Sequence, residues 1–172
     1  MIIKILGAVI LIGATSFIGF FLASECSKRP RALRELQSLL QMLENEISYL
    51  SNILAEAFNR IYENTDFDTA VLFGEAARHL GSDGCTADFA WETAVEENYG
   101  RLSLNGEDRN ILLSFGKMLG NSDLEGQLNN IRMISSQLKV QEIKAEEIKK
   151  KNEKMYRSLG VLSGLAIAII LL

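Results

Sequence analysis

Residues 5–24 form a run of 20 amino acids without a charge. As an α-helix rising 1.5 Å per residue, the run spans about 30 Å, the hydrocarbon thickness of a bilayer. It predicts a transmembrane helix over residues 1–24. A cleaved signal peptide fits less well, because Lys4 alone makes a thin basic n-region and the apolar run outlasts the usual h-region of about 7–15 residues. A lipoprotein-type site at Leu22-Ala-Ser-Glu-Cys26 is disfavoured by Glu25 directly before the cysteine. The opposite end repeats the pattern. Residues 158–172 are uncharged and from Leu165 onward apolar on every side, which predicts a second transmembrane helix extended by Met155 and Tyr156 while Arg157 snorkels. The alternative for this end is a buried apolar tail of the body. Small residues fall four apart in each run: Thr15, Gly19 and Ala23 in the first, and Gly160, Gly164 and Ala168 in the second, where they are candidates for helix packing within the membrane.

Orientation follows from the basic residues beside the two runs. Lys28, Arg29, Arg31 and Arg34 follow the first, and Lys149, Lys150, Lys151, Lys154 and Arg157 precede the second. Positive charge is retained on the cytoplasmic side, so both clusters predict a hairpin with residues 25–157 in the cytoplasm.

Those central residues read as an all-α bundle. The chain has one proline, Pro30, placed for the first turn of a helix, and 48% hydrophobic residues concentrated at the two ends. After it, Leu33, Leu36, Leu40, Leu43, Ile47, Leu50, Leu54, Ala57 and Ile61 alternate spacings of three and four, a heptad stripe. A matching helix opens at Ser122, with Glu125 completing a capping box, and its stripe takes Leu128, Ile131, Ile134, Leu138, Ala145, Ile148 and Met155, with Gln141 and Asn152 at apolar positions. Between these long helices, shorter ones are expected over residues 66–80, closed by Gly81; 87–98, opened by Thr86; and 106–119, closed by Gly120. Gly81-Ser-Asp-Gly84 and Asn105-Gly106 read as turns. Val71, Leu72, Phe73, Leu80, Phe89, Trp91, Val95, Ile111, Leu112, Phe115 and Leu119 are the expected core contribution of this middle part.

The chemistry-bearing residues do not assemble a catalytic, cofactor or metal motif. No phosphate-binding loop, zinc-protease helix, paired Cys-x-x-Cys or nucleophile elbow is present. His79 is the single histidine and reads as a surface or capping residue. Cys26 and Cys85 lie 59 positions apart with no ligand-spaced neighbour, so they read as reduced thiols. Glu96 and Glu97 are adjacent on a helix and point apart, and the charged run 139–154 reads as a solvated helix face. With a formal net charge of −4, nothing recruits nucleic acid.

Four motifs spread over nearly the whole chain carry a resemblance: Arg29-Pro-Arg-x-Leu-Arg-x-Leu36, Leu43-Glu-x-Glu-Ile47, Leu119-Gly-x-Ser-Asp123 with Gln127, and Leu159-Gly-x-Leu-x-Gly164. Together they resemble the stage III sporulation protein AB family of endospore-forming bacteria. The resemblance implies a component of the complex connecting mother cell and forespore, anchored in the outer forespore membrane and facing the mother-cell cytoplasm. It also implies similarity to the F-type platform proteins of type II secretion and type IV pilus systems, whose six-helix domains meet a secretion ATPase. The implied partners are a stage III sporulation protein AA-like ATPase, other subunits of the complex, and membrane lipid. One departure stands out: the family pattern Thr-Pro-Leu-Pro-Glu-Ala is Asn52-Ile-Leu-Ala-Glu-Ala57 here. Without those prolines the residues allow five helices or six, and the resemblance favours six, with a break near Ser51.

The function expected from this reading is a non-enzymatic membrane platform subunit that couples a cytoplasmic ATPase to the membrane. A membrane-tethered adaptor capturing a soluble partner is the alternative. Asp123 and Gln127 are the candidate partner contacts, because they place polar groups one turn apart at the start of the last helix and Gln127 is not needed for capping.

Overall fold

The computed structural model describes residues 2–50, 54–82, 84–119 and 124–171. Among them every regular element is helical: α1 (Ile2–Glu25), α2 (Lys28–Leu50), α3 (Leu54–Glu63), a 3-10 turn (Asp68–Ala70), α4 (Val71–Leu80), α5 (Ala87–Asn98), α6 (Gly106–Gly116) and α7 (Leu124–Leu171). The chain divides into two compact units, one of Met1–Pro30 with Lys144–Leu172 and one of Arg31–Ile143.

The Arg31–Ile143 unit is a six-helix body. Six rather than five helices arise because the leucine stripe does not continue as one rod. Residues 51–53, including Ser51, lie outside the described residues, yet Arg60 Nη1 of α3 stands 3.9 Å from Glu46 Oε2 of α2. Fourteen residues of unbroken helix would hold them about 21 Å apart. The chain therefore turns back on itself between these residues.

The α2 stripe is buried as expected: Leu33, Leu36, Leu40, Leu43 and Ile47, joined by Leu39. Across from it run Ile131, Ile134 and Leu138 of α7. The two helices are antiparallel, since Arg34 pairs with Glu142 and Glu44 with Arg132, the numbers falling on one helix as they rise on the other. The remaining helices pack in series, α3 on α4, α4 on α5 and α5 on α6. Each gives one aromatic ring to a common cluster. Trp91 of α5 lies 5.6 Å from Phe58, 5.1 Å from Phe73 and 5.2 Å from Phe115, and its indole Nε1 donates to Leu112 O at 2.7 Å, so the ring is buried without an orphaned donor. Gly116 makes this possible: a Cβ there would sit 2.8 Å from Trp91 Cδ1.

Four expectations change. Phe89 is exposed, because it precedes Trp91 by two residues and about 200° of helical rotation, so both rings cannot face the same core. Asn105 does not merely turn. Its side-chain oxygen accepts from Asp108 N at 3.0 Å while the Asp108 carboxylate accepts from Asn105 N at 3.0 Å, a capping box that starts α6. Ile148 and Met155 are exposed, although the heptad stripe of α7 included them. Up to Ala145 the buried positions keep the heptad; the next buried positions are Gly160, Gly164 and Ala168, and Ile148 and Met155 stand about 120° and 140° of helical rotation away from that face. The charged run 139–154 is not wholly a solvated face either, since Gln141 and Glu142 are buried. Ser122 and Gly120, expected to cap and to stop helices, lie outside the described residues.

Leu40 and Leu138 are fully enclosed in the α2–α7 seam. Replacing either by Asp is expected to cost several kcal/mol against a typical total stability of about 5–15 kcal/mol. Thermal melting of the full chain in detergent checks this, and an unchanged transition in either variant contradicts the assigned seam.

Candidate interaction sites

In the Met1–Pro30 and Lys144–Leu172 unit, α1 lies along the last turns of α7 at small residues. A Cβ added at Gly19 would sit 2.7 Å from Tyr156 O and 3.0 Å from Gly160 Cα. One added at Gly160 would sit 2.9 Å from Thr15 O, and one at Gly164 would collide with Thr15 Oγ1 and lie 3.0 Å from Ile12 Cα. Gly19, Ala23, Gly160, Gly164 and Ala168 are buried, whereas Phe17, Ile18, Phe21, Leu162 and Ile169 point outward. The pair is therefore small inside and bulky apolar outside. Its hydroxyls are bonded within their own helices: Thr15 Oγ1 donates toward Leu11 O and Ile12 O at 3.1 Å, and Ser163 Oγ donates to Gly160 O at 3.1 Å. Near the N-terminus, one described helical stretch is long and apolar enough to cross a membrane, and only 11% of its apolar window is buried.

The body holds a different kind of site. Glu142 of α7 is 6% exposed and receives three donors: Arg34 Nε at 2.7 Å and Gln37 Nε2 at 3.0 Å from α2, and Lys139 Nζ at 2.7 Å from its own helix. Burial alone would disfavour the charge, but the hydrogen bonds from Lys139, Arg34 and Gln37 outweigh it and hold this carboxyl down to about 2. One residue earlier, Gln141 Nε2 donates to Glu107 Oε2 at 2.9 Å, tying α7 to the first turn of α6. Glu35 is a second buried carboxylate, accepting from Arg31 Nε at 2.8 Å and Thr69 Oγ1 at 3.3 Å. The polar residue at seam position 141 was visible in the sequence; that Glu142 turns inward beside it was not.

A family model described as stage III sporulation protein AB matches residues 4–172. The chain belongs to the stage III sporulation protein AB family. It is similar to stage III sporulation protein AB of Bacillus subtilis (strain 168), with 35% identity over 170 residues covering 99% of each chain. It is also similar to a solved structure of stage III sporulation protein AB, with TM-score 0.67 and 30% identity over 72% of this chain and 98% of that one.

Of the candidate partner contacts in this family member, Asp123 lies outside the described residues. Gln127 is half-buried and lines a small cleft with Ile47, Phe115, Met118 and Ile131. His79 stands with Glu75 and Glu97, their ligand atoms within 4.8 Å of one another. Arg78 is already among them, 2.5 Å from Glu75 Oε2 and 3.3 Å from His79 Nε2, and supplies the positive charge that a cation would bring.

The Glu142 clasp predicts a pH dependence. An unfolded glutamate titrates near 4.5 and the folded one near 2, so its stabilisation is full above pH 4.5 and is lost as the pH falls through 2. Glu142→Gln is expected to lower the melting temperature at pH 7 and to flatten the loss of stability between about pH 4.5 and 2. Paired melts at pH 7 and pH 3 measure both effects.

Proposed function

We propose that this chain is a non-enzymatic platform subunit of the secretion-like channel complex between mother cell and forespore, coupling a cytoplasmic ATPase to the membrane. The observation that carries the reading is the helix pair of α1 and the end of α7. An assembly with glycines inside and phenylalanine, leucine and isoleucine outside is unfavourable in water and suited to lipid, where close helix packing and internally satisfied hydroxyls are what hold helices together. On this reading both ends span the membrane: residues 1–24 and 158–172 are the spans, and Gly160, Gly164 and Ala168 pack within it. The basic clusters at 28–34 and 149–157 put residues 25–157 in the mother-cell cytoplasm, with the spans in the outer forespore membrane.

The partner that fits is an ATPase like stage III sporulation protein AA, met through Gln127 near the start of α7 and Asp123 shortly before it in sequence, alongside other subunits of the complex. Membership of the stage III sporulation protein AB family supports the sporulation setting of this role. Neither a cofactor nor nucleic acid has a part in this role.

Co-purification of the tagged full chain from sporulating cells tests the proposal. The ATPase is expected to be retained with the wild type. Retention should fall about tenfold with Asp123→Lys plus Gln127→Ala, equivalent to about 1.4 kcal/mol, while melting is unchanged. Failure to retain any ATPase with the wild type contradicts the platform role. A reporter fused near Ser82 should also read as cytoplasmic.

A further inference from the structure

Just before the apolar end of α7, one helix face carries Lys150, Lys154, Arg157 and Ser158 with Glu153, and these residues line a shallow groove. Their spacings of three and four keep them on that face over about 12 Å of helix. Arg157 is held in place twice: it pairs with Glu153, and its guanidinium lies 5.3 Å from the ring centroid of Phe20 on α1. Glu153 is the single carboxylate lining the groove, so two of its three positive charges are unmatched there. Among the described residues Lys150 and Lys154 have no ion-pair partner. The basic residues after α1 are different. Lys28 is 2.7 Å from Glu25 and Arg31 is 2.8 Å from Glu35.

Four and eight residues beyond Arg157, Val161 and Leu165 continue the same face as exposed apolar surface. A cationic groove with a hydroxyl at its edge, opening onto an apolar strip, matches one class of molecule. We propose that this groove binds the phosphate headgroup of an anionic glycerophospholipid, whose acyl chains lie along Val161 and Leu165. A free phosphate would use the ammonium groups and leave the apolar strip idle. The lipid assignment rests on the membrane insertion of residues 158–172 proposed above. Lys150 and Lys154 then hold the headgroup electrostatically, Arg157 is pre-positioned by Phe20 and Glu153, and Ser158 offers its hydroxyl to the phosphate or glycerol oxygens.

The test reconstitutes the full chain in phosphatidylcholine vesicles carrying trace spin-labelled phosphatidylglycerol or spin-labelled phosphatidylcholine. Electron spin resonance reads which lipid is enriched in the motion-restricted layer. Phosphatidylglycerol is expected to be enriched, and Lys150→Gln with Lys154→Gln should cut the enrichment about fivefold or more. Arginine at both positions should retain it, and Lys28→Gln with Arg31→Gln should change it less than about twofold, since those cations are already paired. No enrichment in the wild type, or full enrichment in the Lys150/Lys154 glutamine variant, overturns the site. Binding of inorganic phosphate that depends on Lys150 and Lys154, with no phosphatidylglycerol enrichment in the wild type, assigns the groove to free phosphate and overturns the lipid. Leu165→Trp separates this inference from the membrane reading. Quenching of the new tryptophan by brominated lipid without anionic enrichment removes the site and leaves the span; no quenching removes both.

Discussion

Glu142 keeps its charge inside the seam between α2 and α7, which is tolerable only because three donors converge on it from two helices. That requirement fixes more than one pair. Arg34 and Gln37 reach the carboxylate together only in one register of the antiparallel helices, and the Glu44–Arg132 pair further along is satisfied by that same register. Apolar side chains alone would tolerate a slip by a heptad, because each would still meet another apolar side chain; a buried carboxylate would then be left without its partners. The neighbouring bond from Gln141 to Glu107 extends the constraint to α6, and Trp91 joins α6 to the remaining helices through Leu112.

The two units rely on different physics. In the body, large apolar side chains are inside and polar atoms are matched in pairs, as water outside demands. In the α1 and α7 pair the small residues are inside and the backbones approach closely, the arrangement that the proposed lipid surroundings would favour. One helix, α7, serves both arrangements by changing the spacing of its buried face after Ala145. This is why a single heptad template misassigned Ile148 and Met155. They lie about 120° and 140° around the helix from the face that Gly160, Gly164 and Ala168 bury.

These two kinds of packing frame the proposed role. A subunit that positions an ATPase against a membrane must present polar surface to its partner and apolar surface to lipid, and needs no reactive centre between them. The groove at Lys150, Lys154 and Arg157 lies on the stretch of α7 where charged residues give way to apolar ones, and there its unpaired ammonium groups find the most natural counter-ion in a phosphate headgroup.

The sequence by itself determined the helical class, the apolar ends, the α2 stripe and the family, because each depends on residue type and on spacing along one helix. α4 ends at Gly81 and α5 begins after Thr86 as expected, although Gly81 keeps a right-handed conformation and Thr86 makes no side-chain cap bond. The tertiary structure alone decided that Glu142 is buried, that Phe89 is outside while Trp91 is inside, and that α2 and α3 are separate helices packed back on each other. It also decided that Gly160 and Gly164 meet Ile12, Thr15 and Gly19. Periodicity records the angle a residue occupies around its own helix. It does not record which neighbour covers that angle, and it is the neighbour that makes a position a core, a clasp or a surface.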